Sequence, residues 1–167
     1  MAAMDFSAEN GWRECLMRWL VQILHDLYRC ANYRHATAWD VTLEDLQQLP
    51  AASTGRALAV FLQQHGFALM PKFESHDLFH VLLGYGVTVV DEVRMQCCLA
   101  GSGRRTAPTL VVIAVGLVFY PEYSRDFWRH YQRGKSMVNF AGWDFKVMLL
   151  EPMAALLARI HNNGSQQ

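Results

Sequence analysis

The sequence predicts an all-α fold of about seven helices packed as one compact helical domain. Two observations indicate this fold: hydrophobic residues recur at helical spacing in most segments, and capping residues or glycine terminators separate those segments. A third is that the one stretch rich in Val and Ile has no convincing partner strands elsewhere. A chain of 167 residues is long enough to bury one core. We therefore expect a single domain over residues 1–162 and a disordered tail over residues 163–167.

The first three helices are predicted from their hydrophobic spacing and their end signals. Residues 12–32 carry an apolar stripe opposite a polar one, which is typical of an amphipathic helix. Thr42 precedes an acidic first turn and is a plausible cap for a short helix that Pro50 must end nearby. Ser53 opens the next helix, and Gly66 is its natural left-handed terminator.

A helical hairpin is predicted for residues 76–100. The pattern is helical over residues 74–83, is interrupted by the glycines of residues 84–86, and resumes over residues 87–100. Two helices joined at the glycines fit this pattern best.

Three more helices complete the predicted fold. Residues 109–119 are interpreted as a buried helix despite their strand-forming composition. Residues 122–134 form a helix with a polar face, and residues 143–161 form another in which Pro152 marks a kink or a break.

Composition limits the classes of function. Fifteen basic residues balance fifteen acidic ones and no basic stripe is present, which disfavours nucleic-acid binding. Charged residues are only 18% of the chain and apolar residues are 52%, a surplus that suits a lipid cavity, a homodimer interface or a membrane contact. The first ten residues hold two acids and no Lys or Arg, so we expect no signal or transit peptide. The expected location is the cytoplasm, with peripheral contact on the inner face of the membrane.

One helical turn carries residues suited to a metal ion. His76 and His80 are four residues apart, which places both imidazoles on one helical face, and Asp77 adds a carboxylate. Nitrogen and oxygen ligands in this mixture suit zinc or another divalent transition metal. Along a straight helix Glu92 would lie about 18 Å from His80. A chain reversal at Gly84 would instead place the two residues at a similar distance from the turn, on the two facing helices of the hairpin. The competing interpretation is an exposed histidine pair, but the apolar neighbours of this segment favour burial of at least one imidazole.

This part of the chain resembles the Coq4 family of ubiquinone-biosynthesis proteins. Residues 76–80, HDLFH, followed by eleven residues and Glu92, match the family motif HDxxH-x11-E. The resemblance covers about residues 72–159, and the sequence is similar to short bacterial members. Further matching positions are Gly84, Tyr85, Gly86, Gln96, Tyr131, Gly134 and Trp143.

The resemblance implies a metal-dependent enzyme acting on a polyprenylated aromatic lipid. The implied zinc ligands and catalytic residues are His76, Asp77, His80 and Glu92, near a cavity for the isoprenoid tail. The implied reaction replaces the C1 carboxylate of a polyprenylated hydroxybenzoate with a hydroxyl, an oxidative decarboxylation. A divalent cation suits this chemistry because it stabilises the negative charge that develops as carbon dioxide leaves.

Four further residues are candidates for binding the substrate. Arg129 and Arg133 share a helical face that suits an anionic head group or a prenyl phosphate, although a solvated basic face explains the same spacing. Tyr85 and Tyr131 suit hydrogen bonding to a substrate phenol, although buried aromatic packing explains them equally.

Two other functions stay open at this stage. A non-catalytic scaffold with a structural zinc would present prenylated intermediates to other quinone-biosynthesis enzymes, and four tightly bound ligands would favour it. A metallohydrolase is the minor alternative, since HDxxH resembles HExxH, but Asp77 is one methylene shorter than the general base of that motif.

Overall fold

The computed structural model describes residues 38–140 and 142–162, and within them the predicted all-α fold is confirmed. These residues contain seven α-helices and one 3-10 turn, Pro121–Tyr123, and no strand. The helices are α1 Leu43–Gln48, α2 Thr54–His65, α3 Glu74–Leu83, α4 Val89–Gly101, α5 Ala107–Phe119, α6 Ser124–Lys135 and α7 Met153–His161. The predicted helix over residues 12–32 and the predicted tail over residues 163–167 lie outside the described residues.

The helix ends follow the capping signals of the sequence. The Thr42 hydroxyl accepts a hydrogen bond from the Asp45 amide, and the Asp45 carboxylate accepts one from the Thr42 amide in return. Ser53 caps α2 through the Arg56 amide. Gly66 and Gly84 end α2 and α3 with φ of 64° and 69°, the left-handed conformation that glycine adopts without a steric penalty. The predicted ends of these two helices are therefore confirmed.

The described chain forms two compact units, and the prediction of one domain over residues 1–162 stays a prediction. The first unit comprises residues 38–84 and 137–162. In its core, Phe79 of α3 packs edge-on against Phe140 and Phe145 with ring centroids 5.9 and 5.6 Å apart. The buried Glu74 carboxylate accepts the Trp39 amide at 3.0 Å, so a charge at the start of α3 is satisfied inside the unit.

The second unit, residues 85–136, holds α4, α5 and α6. Helices α4 and α6 approach so closely that a Cβ at Gly134 would overlap the Cys98 carbonyl, and one at Gly101 would overlap the Tyr131 carbonyl. Helix α5 packs on α4 where Gly116 meets the side chain of Val93. Small residues thus set the distance between the helices of this unit.

The expectation that residues 109–119 form a buried helix is wrong in its burial. The helix forms as α5, but only Thr109 and Gly116 in it are buried. Apolar residues occur on all sides of α5, so its composition does not indicate which side another helix covers. Leu110, Val111, Leu117 and Val118 remain exposed.

The helix predicted over residues 143–161 forms only in its second half. Residues 145–150 lie in turns rather than in a helix, and α7 begins after Pro152. The carbonyls of Leu149 and Glu151 accept the amides of Gly55 and Thr54 in the first turn of α2, each at 2.9 Å. These tertiary hydrogen bonds replace the bonds that a continuous helix would make. Pro152 thus marks a break rather than a kink.

Within the described residues, no single helix meets the length and hydropathy expected of a membrane span. One pair meets them jointly, Ala107–Phe119 with Pro121–Lys135, but the chain bends by 108° between the two.

Candidate metal centre

The two histidines of α3 present their ring nitrogens to each other. His76 and His80 lie one helical turn apart, and their Nε2 atoms are 3.4 Å from one another. Two ligands of one tetrahedral zinc ion, each about 2.0 Å from the metal, are separated by about 3.3 Å. The pair is therefore already spaced as two ligands of one ion.

His80 is held by an aromatic neighbour on α2. Its side chain is only 6% exposed, and its ring stacks on Phe61 with centroids 5.7 Å apart and planes inclined by 16°. Phe61 in turn contacts His65, with centroids 4.7 Å apart. The stack restricts rotation of the His80 ring, which orders a ligand before any ion binds.

Glu92 lies in the first turn of α4, and a hydrogen bond fixes its carboxylate. Thr88 caps this helix, because its hydroxyl accepts a hydrogen bond from the Asp91 amide. Threonine is a common residue at this position before the first turn of a helix. The Gln96 amide nitrogen, one turn further along α4, donates to Oε1 of Glu92 at 2.8 Å. This bond orients the carboxylate.

His76 and His80 of α3 bring two imidazole nitrogens together, and Glu92 of α4 is the predicted carboxylate ligand. Two imidazole nitrogens and one carboxylate oxygen form a donor set that suits zinc better than calcium or magnesium. The residues present thus fit the predicted ion. Asp77 is half-buried on α3 but does not belong to this group, so its predicted role as a fourth ligand stays a prediction.

Tyr85, a candidate substrate-binding residue, is engaged inside the second unit. Its side chain is buried, and its hydroxyl lies 2.7 Å from Nδ1 of His130 on α6. Burial raises the pKa of the Tyr85 hydroxyl, so it stays protonated. Nε2 of His130 lies 3.8 Å from Asp126, which also accepts a hydrogen bond from Arg94 at 2.6 Å.

The other three substrate-binding candidates lie on α6. The Arg133 guanidinium stands over the Tyr85 ring, 5.3 Å from its centroid, so these two candidates lie together. The Tyr131 ring stacks on Trp128 and its hydroxyl accepts a bond from Arg105. Arg129 is exposed. No bound substrate tests these roles, and they stay predictions.

Sequence reasoning missed three residues that the structure places beside these groups. Phe61 shares a helical spacing with core leucines and was indistinguishable from them. His130 follows Asp126 by four residues, and this spacing was the available signal for their contact. Gln96 was noted only as a position that matches the Coq4 family, without a role.

Comparisons with known proteins support the fold and leave the family open. No family profile matches the sequence, and no curated protein matches it. The chain is similar in structure to a crystal structure from Nostoc punctiforme, of a protein provisionally described as a ubiquinone biosynthesis protein. The two share 17% identity over 86% of this chain and 81% of the other, with a TM-score of 0.60. At this identity the likeness shows a common fold.

Proposed function

We propose that the protein is a metal-dependent enzyme of ubiquinone biosynthesis that carries out an oxidative decarboxylation. The observation that carries the proposal is the pair of His76 and His80, whose Nε2 atoms lie 3.4 Å apart, as two ligands of one ion would. The HDxxH-x11-E resemblance to the Coq4 family and the description of the Nostoc protein support the pathway.

The proposed substrate is a polyprenylated hydroxybenzoate whose C1 carboxylate is replaced by a hydroxyl. This is a two-electron oxidation of the ring and needs an oxidant, which we take to be dioxygen. One oxygen atom enters the phenol, and the ring carboxyl leaves as carbon dioxide. The second oxygen atom leaves as water, with two electrons and two protons from an added reductant.

The chain's own residues hold the site in order for this chemistry. His76 and His80 supply two nitrogen ligand atoms, and the Phe61 stack keeps the His80 ring in place. Gln96 keeps the Glu92 carboxylate oriented. A divalent ion held here would supply positive charge that stabilises the anion developing on the ring.

The protonation state of the Tyr85 hydroxyl suits a role in binding substrate. Because burial raises the pKa of its hydroxyl, Tyr85 stays protonated and does not act as a base, and its hydroxyl is hydrogen-bonded to His130. The stacked Arg133 guanidinium adds a positive charge on the same side of the second unit. We propose that Tyr85 and Arg133 lie near the anionic end of the substrate.

The test is turnover by the purified zinc-loaded protein supplied with a prenylated 4-hydroxybenzoate, a reductant and isotopically labelled dioxygen. We expect a hydroquinone product that carries one labelled oxygen, detected by mass spectrometry. His80→Ala and Glu92→Gln should abolish the product, whereas His161→Ala, a histidine exposed at the end of α7, should not. Binding of the substrate without turnover would overturn the enzyme assignment in favour of a scaffold.

A further inference from the structure

A carboxylate, an imidazole and a phenol hydroxyl follow one another within the second unit. The Tyr85 hydroxyl lies 2.7 Å from Nδ1 of His130, and Nε2 of the same ring lies 3.8 Å from a carboxylate oxygen of Asp126. Asp126 is held in turn by Arg94, whose Nε donates to it at 2.6 Å. Groups in this order move a proton between a bound ligand and the imidazole in many enzymes.

The neighbours of His130 decide which of its nitrogens carries hydrogen. The Asp126 carboxylate favours a proton on Nε2, because the other tautomer would turn a nitrogen lone pair toward a negative charge. Nδ1 then accepts a hydrogen bond from the Tyr85 hydroxyl. The Tyr85 oxygen has two lone pairs, and the neighbouring Cys98 thiol occupies at most one of them. The other can accept a hydrogen bond from a hydroxyl of a ligand.

The charges around His130 suit passing a proton on rather than keeping it. The charged groups that face it are Asp126 and Arg133 on α6, and Asp91 and Arg94 on α4. Burial and the two arginines lower the pKa of the imidazole below 6.5, so the ring releases a proton that it receives at neutral pH. The side chains of His130 and Asp126 are 24% and 29% exposed, so water reaches them.

An exposed guanidinium lies beside the Tyr85 ring. Arg133 is exposed, and its guanidinium carbon is 5.3 Å from the centroid of that ring. An anionic ligand that pairs with Arg133 therefore comes next to Tyr85. The positive charge also stabilises a phenolate relative to a phenol. These groups together suit an aromatic ligand that carries a hydroxyl.

We infer that Tyr85, His130 and Asp126 form a relay that removes the proton from the ring hydroxyl of a bound hydroxybenzoate. The inference rests on the proposed function, in which the anionic end of this substrate lies near Tyr85 and Arg133. The substrate O–H bond breaks and its proton bonds to the Tyr85 oxygen, while the Tyr85 proton bonds to Nδ1 of His130. The imidazolium then gives its Nε2 proton to water beside Asp126. Tyr85 is protonated before and after the step, and the base is His130.

The phenolate suits the proposed reaction. In a 4-hydroxybenzoate the hydroxyl is para to C1, so the negative charge of the phenolate is shared with C1. This is the carbon that must bond to an oxygen atom and release the carboxyl group, and added electron density favours that bond. Tyr85 contacts the substrate and is the catalytic residue, whereas His130 and Asp126 are positioning residues that act through it.

The tautomer of His130 is tested without ligand or turnover. A proton–nitrogen NMR spectrum of protein labelled with a nitrogen isotope shows which imidazole nitrogen carries hydrogen. We expect Nε2 in the wild type at neutral pH, and a larger share of the Nδ1 form in Asp126→Asn. Hydrogen on Nδ1 in the wild type would overturn the inference and leave the proposed function standing.

The relay is tested with a geranylated 4-hydroxybenzoate that carries a nitro group, whose phenolate is yellow. The complex is formed without reductant, and the pH is raised in a stopped-flow instrument, so the yellow colour reports removal of the proton. Tyr85→Phe and His130→Gln should slow this step about a hundredfold. Tyr123→Phe and His161→Gln, at exposed residues, should retain the wild-type rate.

The outcomes separate the relay from the proposed reaction. Equal rates in Tyr85→Phe and the wild type, or a wild type that leaves the probe as a phenol, would overturn the relay. Asp126→Asn should slow the step about tenfold and Asp126→Glu, which restores a carboxylate, should recover most of the rate. Fast ionisation that depends on Tyr85, in a protein that never turns over the prenylated substrate, would support the relay and overturn the oxidative decarboxylation.

Discussion

The Tyr85 hydroxyl lies 2.7 Å from Nδ1 of His130, and this bond joins the loop before α4 to the middle of α6, 45 positions along the chain. Tyr85→Phe removes the hydroxyl and leaves the half-buried His130 ring without this hydrogen-bond partner. We expect a loss of about 1 kcal/mol in the free energy of unfolding, measured by urea denaturation. Tyr123→Phe, at an exposed tyrosine, should change it by less than about 0.5 kcal/mol. Equal losses in both variants would show that the Tyr85 bond contributes nothing specific.

The pKa of His130 predicts a dependence of stability on pH. Burial lowers this pKa below its ordinary value of 6.5, and the positive charges of Arg94 and Arg133 lower it further, against the opposing effect of Asp126. Just below pH 6.5, His130 is therefore protonated in the unfolded chain but still neutral in the folded chain. Stability should be complete above about pH 6.5 and fall as the pH drops toward the folded pKa.

His130→Gln tests that assignment because glutamine can accept a hydrogen bond but does not titrate in this range. We expect thermal unfolding of the variant to depend less on pH between about 5 and 7 than that of the wild type. Parallel curves for the two proteins would assign the pH dependence to other groups.

The contact of α4 with α6 predicts a strong effect at Gly134. A Cβ there would overlap the backbone carbonyl of Cys98, which cannot rotate away as a side chain would. Gly134→Ala should destabilise the protein by about 2–3 kcal/mol, seen as a lower denaturation midpoint. Gly142→Ala is the control, because a Cβ at Gly142 meets nothing within 4 Å, and it should shift the midpoint little. A neutral Gly134→Ala would mean that the two helices are not in this contact.

The Phe61 stack predicts an effect on metal affinity without loss of the fold. Phe61→Leu keeps the apolar volume near His80 but removes the flat surface on which the ring rests. We expect zinc affinity to fall about tenfold in a chelator competition assay. Phe67→Leu also alters an aromatic contact of Phe61 but leaves the stack of Phe61 on His80 intact, so it should retain wild-type affinity. Equal affinities for Phe61→Leu and wild type would remove Phe61 from the site.

Local signals in the sequence predicted the helices that begin at a capping residue or end at a glycine. The bounds of α3 were predicted over residues 74–83 because Gly84 supplies a left-handed stop, and Thr42 and Ser53 similarly defined the starts of α1 and α2. Tertiary contacts decided the remaining features. Residues 143–151 have a helical pattern, but the first turn of α2 takes their carbonyls.

In the candidate site too, features set by local spacing were predictable and contacts between distant segments were not. The spacing of His76 and His80 fixed their common face, and the glycines at the end of α3 predicted the reversal that a role for Glu92 requires. The Phe61 stack joins α2 to α3, and the His130 bond joins α6 to the loop before α4. No short-range pattern encodes such pairs.

The most direct test of the metal site is the zinc content of protein purified without chelators, measured by elemental analysis. We predict about one zinc per chain for the wild type and for His161→Ala, and less than about one tenth of that for His80→Ala and Glu92→Gln. Circular dichroism should show that all four proteins keep their helices. Wild-type protein that carries and takes up no zinc or other divalent transition metal, or a His80→Ala variant that retains a full equivalent, would contradict the account.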